Sequence, residues 1–183
     1  LERYGLAVLF YSTNGVYWQN QFGFLTESDV CDWNNRSDVS DSTASSNGLQ
    51  SLPGEMYGVY CDEEARVQHI ALSENDLIGT LPSELSLLSK LQTLHLQTNE
   101  LVGVIPTALG RMTALQELGL ADNVIGGPLP TELGRLTTLR ILDVSSNNMT
   151  IPLPTELGLM TSLIEFYASS NSFTEGTLPT ELG

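Results

Sequence analysis

The stretch LQTLHLQTNELVGVIPTALGRMTA, residues 91–114, decides the fold, because versions of it follow one another along the chain. Self-similarity at a fixed period of this length is typical of stacked arrays of one supersecondary unit. We therefore expect residues 67–183 to form five repeats of 24 residues, the last of them incomplete. The repeats begin at Val67, Leu91, Leu115, Leu139 and Leu163.

Each repeat combines two hydrophobic periodicities. Leu94 and Leu96 alternate as in a short strand, whereas Leu109 and Met112 lie three positions apart after Pro106, which fits one or two helical or 3₁₀ turns. Proline excludes a long helix there. A single repeat has no second layer to cover its apolar residues, so it must bury them against the coils above and below. Stacking then places the strands side by side in one parallel sheet.

A column of asparagines follows the predicted strands at the same 24-residue spacing. An inward amide has two donor hydrogens and an acceptor oxygen, which can satisfy the backbone groups of a turn and of its neighbour. We predict that these amides form a ladder through the interior. The column consists of Asn75, Asn99, Asn123, Asn147 and Asn171.

Residues 1–66 precede the repeats and are expected to cap the N-terminal end of the stack. Leu6, Leu9 and Phe10 share one helical face, which predicts a short capping helix. This helix should end within Ser12-Thr13-Asn14-Gly15, where glycine can adopt the left-handed conformation that terminates helices.

The two cysteines, Cys31 and Cys61, are spaced too widely for a compact metal motif. A disulfide is the favoured interpretation, and two buried free thiols in a cytosolic protein are the alternative. Asn35 and Asn148 each begin an N-glycosylation sequon. Together these features favour an extracellular or cell-surface location reached through the secretory pathway.

The repeat resembles the plant-type leucine-rich repeat, LxxLxLxxNxLxGxIPxxLGxLxxL, over residues 67–183. The preceding segment is similar to the N-terminal cap of such proteins, whose Cys-x-Trp and Gly-Val-x-Cys elements correspond to Cys31-Asp32-Trp33 and Gly58-Val59-Tyr60-Cys61. Receptor ectodomains, polygalacturonase-inhibitor-like proteins and secreted algal proteins share this layout. The resemblance implies a right-handed α/β solenoid with a parallel β-sheet on its concave face and an N-terminal helical cap.

The chain departs from that family pattern in three places. An insert at about residues 34–48, rich in Ser, Asp, Asn and Thr, is expected to be a mobile surface loop. Ile151 replaces the family's glycine, and the fifth repeat carries one extra residue between Phe173 and Pro179. We expect the last two coils to bulge locally.

The charge balance excludes several classes of partner. Seven basic residues face 22 acidic ones, and the net charge of -15 disfavours nucleic acid and anionic lipid surfaces. No apolar run approaches the roughly 18 residues needed to cross a bilayer, so we expect no direct membrane insertion in this segment. The chain stops within a repeat, and its uncapped C-terminal coil is expected either to continue in a longer array or to meet an end-to-end or lateral assembly partner.

Residues that point outward from the predicted sheet are the candidate ligand-binding residues. Their variety at equivalent backbone positions suits recognition of a protein, peptide or glycan by many weak contacts. A solvated face that binds nothing is the alternative. The candidates are His69, His95, Glu117, Arg140, Asp143, Glu165 and Tyr167.

Catalytic and metal chemistry are disfavoured by the same placement. His69 and His95 are predicted to lie roughly 8 Å apart, too far to share one metal ion without rearrangement. Glu117 and Asp143 have the approximate spacing of a glycosidase pair, but an open sheet face is expected to offer no pocket that would raise one pKa. We therefore predict no enzyme activity, no cofactor and no metal.

The function that the family resemblance implies is an extracellular recognition module that binds through its concave face. The alternative is a structural component of a cell-surface or extracellular assembly that packs through the end of the solenoid.

Overall fold

A computed structural model describes residues 1–27, 29–34, 57–150 and 153–173. Within these residues there is one α-helix, α1 (Glu2–Ser12), and no helix among them is both apolar enough and long enough to cross a membrane. The strands are β1 (Gly58–Cys61), β2 (Val67–Ala71), β3 (Ile78–Thr80), β4 (Thr93–His95), β5 (Glu100–Val102), β6 (Glu117–Gly119), β7 (Gly126–Gly127), β8 (Ile141–Asp143), β9 (Asn148–Met149) and β10 (Glu165–Tyr167). The expected features at Asn35, at residues 35–48, at Ile151 and at residues 174–183 lie outside the described residues.

The main sheet has six strands in the order β1-β2-β4-β6-β8-β10. Strands β2, β4, β6, β8 and β10 are parallel, which confirms the predicted parallel sheet, whereas β1 from the cap runs antiparallel to β2. Equivalent residues of successive repeats pair directly, as Thr93, Glu117, Ile141 and Glu165 do. The 24-residue period therefore sets the strand register.

Two smaller parallel sheets lie beyond the turn that follows each main strand. They pair β3 with β5 and β7 with β9. Their register is shifted relative to the main sheet, because Ile78 pairs with Glu100 and Gly126 with Asn148. The second half of each coil thus also bonds to its neighbour through backbone groups, which the sequence pattern did not predict.

Short 3₁₀ helices complete the coils, as the proline and the three-residue spacing predicted. They span Ser83–Leu87, Thr107–Arg111, Thr131–Arg135 and Thr155–Leu159, and each follows a proline. Glycine is required at 110 and 134 because successive helices are in close contact. A Cβ at Gly110 would lie 2.3 Å from the carbonyl oxygen of Glu132, and one at Gly134 would lie 2.4 Å from that of Glu156.

The asparagine ladder is present and makes the bonds expected of it. Asn123 is nearly buried, and its Oδ1 accepts the N–H of Leu101 at 2.9 Å. Its Nδ2 donates to the carbonyl oxygens of Leu96, Leu120 and Ala121 at 2.9 to 3.1 Å. One amide therefore forms hydrogen bonds both with the turn of its own coil and with the preceding coil.

The first rung of the ladder differs from the others because no repeat precedes it. Asn75 exchanges hydrogen bonds with the backbone of Asn20, accepting its N–H and donating to its carbonyl oxygen. The ladder is thus anchored to the cap by the same chemistry that joins the coils.

The cap covers the first coil with α1 and a cluster of aromatic side chains. Phe10, Trp18, Phe24 and Trp33 are buried and in ring contact, and the hydrophobic core runs without interruption from them into the repeats. The cap therefore covers the apolar end of the first coil.

The helix ends at Ser12, within the predicted stretch Ser12-Thr13-Asn14-Gly15, but the residue in the left-handed conformation is not Gly15. Asn14 adopts the left-handed conformation, with φ of 59°, and Gly15 begins a 3₁₀ helix at Gly15–Tyr17. Glycine is needed at position 15 for a different reason. A Cβ there would lie 2.2 Å from the ring of Phe10.

The disulfide between Cys31 and Cys61 is confirmed, and the alternative of two free thiols is wrong. It ties the 3₁₀ helix Val30–Asp32 to the end of β1. Closing a loop with a sequence separation of 30 restricts the unfolded chain. This stabilises the cap by about 3 to 4 kcal/mol.

We expect Asn123→Leu to lower the free energy of unfolding by about 3 kcal/mol or more, because three carbonyls and one N–H lose their partner. The corresponding fall in Tm is roughly 6 to 12 °C. Asn148→Leu is the matched control, since it makes the same change at an exposed position. Thermal unfolding followed by circular dichroism measures both, and equal Tm values for the two variants would contradict the role of the ladder.

Candidate functional site

The outward face of the main sheet carries rows of side chains that cross the strands in register. One row contains Thr93, Glu117, Ile141 and Glu165, and His69 pairs with Thr93 at its cap end. The adjacent row contains Ala71, His95, Gly119, Asp143 and Tyr167. Outward residues at equivalent positions of successive repeats are therefore neighbours in space.

A depression of about 270 Å³ lies where Gly119 interrupts the second row. Gly119 presents no side chain between His95 and Asp143, while their own side chains stand at the rim. The sequence pattern did not predict this depression, which depends on the missing side chain at position 119. The depression is lined by His95, Gln97, Glu117, Leu118, Gly119, Ile141, Asp143, Ser145 and Tyr167.

The polar side chains at the rim are held by contacts within the sheet. His95 Nε2 lies 3.1 Å from Glu117 Oε2, so a hydrogen on that nitrogen donates to the carboxylate. Asp143 Oδ1 accepts both the backbone N–H and the hydroxyl of Ser145, at 3.0 and 2.6 Å. These contacts fix two carboxylates on neighbouring strands.

Tyr167 stands at the far side of the depression and is 47% exposed. Its hydroxyl donates to Glu165 Oε2 at 2.8 Å. This hydrogen bond, together with the charge of the carboxylate, raises the pKa of the Tyr167 hydroxyl, because both oppose ionisation of the phenol. The ring is thereby oriented while its face stays open to a ligand.

Gln97 lies across the floor of the depression. Its Oε1 accepts the hydroxyl of Ser73 at 2.9 Å. A Cβ at Gly119 would lie only 2.4 Å from Gln97 Nε2. The absence of a side chain at position 119 is therefore what allows the amide to rest on the sheet.

The structure brings four of the seven predicted ligand-binding residues together, and they are His95, Glu117, Asp143 and Tyr167. Glu165 supports Tyr167 without lining the depression. Arg140 instead lines a separate, open hollow of about 460 Å³ beside Ile164. His69 lies next to the cap, on β2. The other five lining residues were not predicted, although a glycine at an outward position was the available signal of a gap; they are Gln97, Leu118, Gly119, Ile141 and Ser145.

His69 is half-buried beside the cap, and its Nδ1 is buried without a hydrogen-bond partner among the described residues. Burial lowers the pKa of the His69 imidazole. The charge of Glu117 partly opposes this lowering, whereas the charge of His95 adds to it. Over the part of the chain that the structure describes, no group of three or more His, Cys, Asp or Glu side chains is placed to hold a metal ion.

Comparison with known proteins supports the interpretation of the repeats. The sequence profile described as Leucine Rich Repeat matches residues 90–112 and 138–160. No curated protein sequence matches the chain.

Solved structures of plant receptors share the fold. A chain of the BIR3–SERK2 complex from Arabidopsis thaliana is 27% identical with a TM-score of 0.68, and the match covers 96% of this chain and 87% of that one. The leucine-rich-repeat ectodomain of the plant membrane receptor kinase GASSHO1/SCHENGEN3 from Arabidopsis thaliana, in complex with CASPARIAN STRIP INTEGRITY FACTOR 2, is 36% identical with a TM-score of 0.61 over 63% of this chain.

The plant peptide hormone receptor RGFR1, in complex with RGF2, is also 36% identical with a TM-score of 0.61 over 63% of this chain. The matches cover 14% of the GASSHO1/SCHENGEN3 chain and 18% of the RGFR1 chain. The matched part of this chain therefore spans less than a fifth of the length of each of these two receptor chains.

We expect the protein to lose stability as the pH falls below the ordinary histidine pKa of 6.5, because the folded state holds His69 neutral while the unfolded chain takes up a proton. The variant His69→Gln should lose less stability between pH 7.5 and pH 5.5 than the native protein. Urea unfolding at both pH values measures the difference. Identical pH dependence in the two proteins would contradict the assignment to His69.

Proposed function

We propose that this chain, which is built of plant-type leucine-rich repeats, is an extracellular recognition module that binds a peptide or protein on the outward face of its six-stranded sheet. The observation that carries the proposal is the row His95, Gly119, Asp143 and Tyr167. Four equivalent positions of one scaffold hold four different chemistries, although the apolar positions behind them are nearly uniform. Variation of this kind on a rigid framework suits selective contact with a partner.

The known relatives support this proposal. The GASSHO1/SCHENGEN3 ectodomain was solved in complex with CASPARIAN STRIP INTEGRITY FACTOR 2, and the peptide hormone receptor RGFR1 in complex with RGF2. The BIR3–SERK2 structure is likewise a complex. The proposed mechanism is equilibrium binding without a chemical step, because the face offers weak polar contacts held in fixed positions.

The proposed location is outside the cell or on its surface. The disulfide between Cys31 and Cys61 supports it, since such bonds persist in oxidising compartments. The receptor ectodomains with the same fold point in the same direction.

The recognition proposal predicts that changing the depression weakens binding without unfolding the protein. The test selects random twelve-residue peptides against the native chain. The selected peptides should bind a variant with Glu117→Gln, Asp143→Asn and Tyr167→Ala at least about tenfold more weakly, because hydrogen bonds to charged groups are lost. Circular dichroism should give the same spectrum and nearly the same Tm for both proteins.

The matched control changes three glutamates of the 3₁₀ helices instead, as Glu84→Gln, Glu132→Gln and Glu156→Gln. This variant should bind the selected peptides as the native chain does. Failure to select any peptide, or equal loss in both variants, would contradict the proposal. Equal binding by both variants would favour assembly through another surface.

We also propose that Asn148 carries an N-linked glycan. Its side chain is exposed on β9, and Thr150 of the same sequon is exposed as well. The Asn148 Oδ1 accepts the hydroxyl of Ser172, and its amide nitrogen has no partner among the described residues. This position belongs to a small sheet beyond the turn, so a glycan there would leave the recognition face free.

Expression in a secreting mammalian cell line should give a peptide at Asn148 whose mass includes a glycan. Thr150→Ala should abolish that modification although Asn148 is retained, and Thr150→Ser should preserve it. Mass spectrometry of the digested protein measures the occupancy. An unmodified Asn148 peptide from a secreted, disulfide-bonded protein would contradict the proposal.

A further inference from the structure

The depression over Gly119 is flanked by two carboxylates with unused hydrogen-bonding capacity. Glu117 Oε2 contacts His95, and Asp143 Oδ1 accepts two bonds from Ser145. The other oxygen of each carboxylate, Glu117 Oε1 and Asp143 Oδ2, accepts no hydrogen bond from the described residues. A ligand group rich in N–H donors would therefore match the rim.

Among the described residues, no lysine or arginine side chain forms an ion pair with these carboxylates. Arg140 lies in the separate hollow beside Ile164. Among the described residues, the only ion pair of either carboxylate is the contact of Glu117 with His95, whose charge depends on its protonation. The net charge of -15 also attracts a cation to the protein from a distance.

The rest of the lining suits the hydrocarbon part of a long basic side chain. Ile141 lies between Glu117 and Glu165 in its row and offers an apolar wall. The ring of Tyr167 stands beside Asp143 with 47% exposure, which leaves a face available for a cation–π contact. Lysine and arginine combine such an apolar stem with a charged end.

The size of the depression limits what it holds. Sites for drug-sized ligands measure about 300 to 1,000 Å³. The depression has about 270 Å³ and is open on one side. It therefore fits a single side chain that projects from a larger partner better than a free metabolite.

We propose that the depression over Gly119 binds the lysine or arginine side chain of a basic peptide segment, with the cationic group between Glu117 and Asp143 and its stem against Ile141 and Tyr167. This inference rests on the proposed recognition function and names the chemistry that the face selects. The Gln97 amide on the floor supplies a further polar contact for the peptide.

The test uses small probes that contain only this side chain. Nα-acetyl-arginine amide, Nα-acetyl-lysine amide and Nα-acetyl-citrulline amide are titrated into the disulfide-intact, ¹⁵N-labelled chain at low salt. The two cationic probes should shift the amide resonances of Gly119, Ile141 and Asp143. Citrulline, which is neutral and nearly isosteric with arginine, should bind at least about tenfold more weakly, and added salt should weaken only the cationic probes.

Two single variants locate the binding site, and a third is the matched control. Glu117→Gln and Asp143→Asn should each weaken arginine binding about tenfold or more. Glu100→Gln removes an exposed carboxylate on β5, away from the depression, and should leave binding unchanged. Equal binding of citrulline and arginine, or an equal effect of all three variants, would overturn the inference.

The outcome separates this inference from the function on which it rests. Selected peptides that need the depression but contain no lysine or arginine would overturn the cation site and leave the recognition function standing. If the basic probes bind at the depression but no selected peptide depends on it, the cation site stands and the recognition function is overturned.

Discussion

The asparagine ladder is the interaction on which the rest of this structure depends. The carbonyls and N–H groups at the turn after each strand cannot all pair within one coil, and burying them unpaired would cost about 1 to 3 kcal/mol for each group. Asn99, Asn123, Asn147 and Asn171 resolve this by bonding both to their own turn and to the coil before it. A coil consequently completes its hydrogen bonding only when a neighbour is present, so the repeats fold as a stack.

The ladder also fixes the candidate site, because it sets the strand register. Asn123 follows Gly119 by four residues, and its amide holds the turn that ends this part of the sheet. Residues of four neighbouring strands of the main sheet, β4, β6, β8 and β10, line the depression, so no single coil contains it. A shift of one residue between coils would turn His95 or Asp143 into the core and destroy the site. The fold and the candidate site therefore depend on the same register.

The sequence predicted those features that follow from the period alone. The spacing of leucines, prolines and asparagines was sufficient for the parallel sheet, the 3₁₀ turns and the ladder. It did not predict the small sheets, because β3 and β7 show no clear alternation and Gly126–Gly127 has no side chains to signal a strand. The left-handed residue after the helix was misplaced by one position, because packing against Phe10 rather than backbone conformation requires Gly15. The depression depends on the rotamer of Gln97 over Gly119, which no pattern of residue types specifies.

The separation of the two faces explains how one scaffold can carry a selective surface. The core leucines and the ladder amides supply the cohesion between coils, while Glu117, Asp143 and Tyr167 bond mainly to their outward neighbours. Substitutions of these three residues therefore alter the outward chemistry without removing a core side chain. Ala71, Thr93 and His69 differ, because Ala71 and Thr93 are buried and His69 lies against the cap with a buried nitrogen that has no hydrogen-bond partner among the described residues. The outward face is thus constrained at its cap end, and the proposed recognition surface lies over the middle coils.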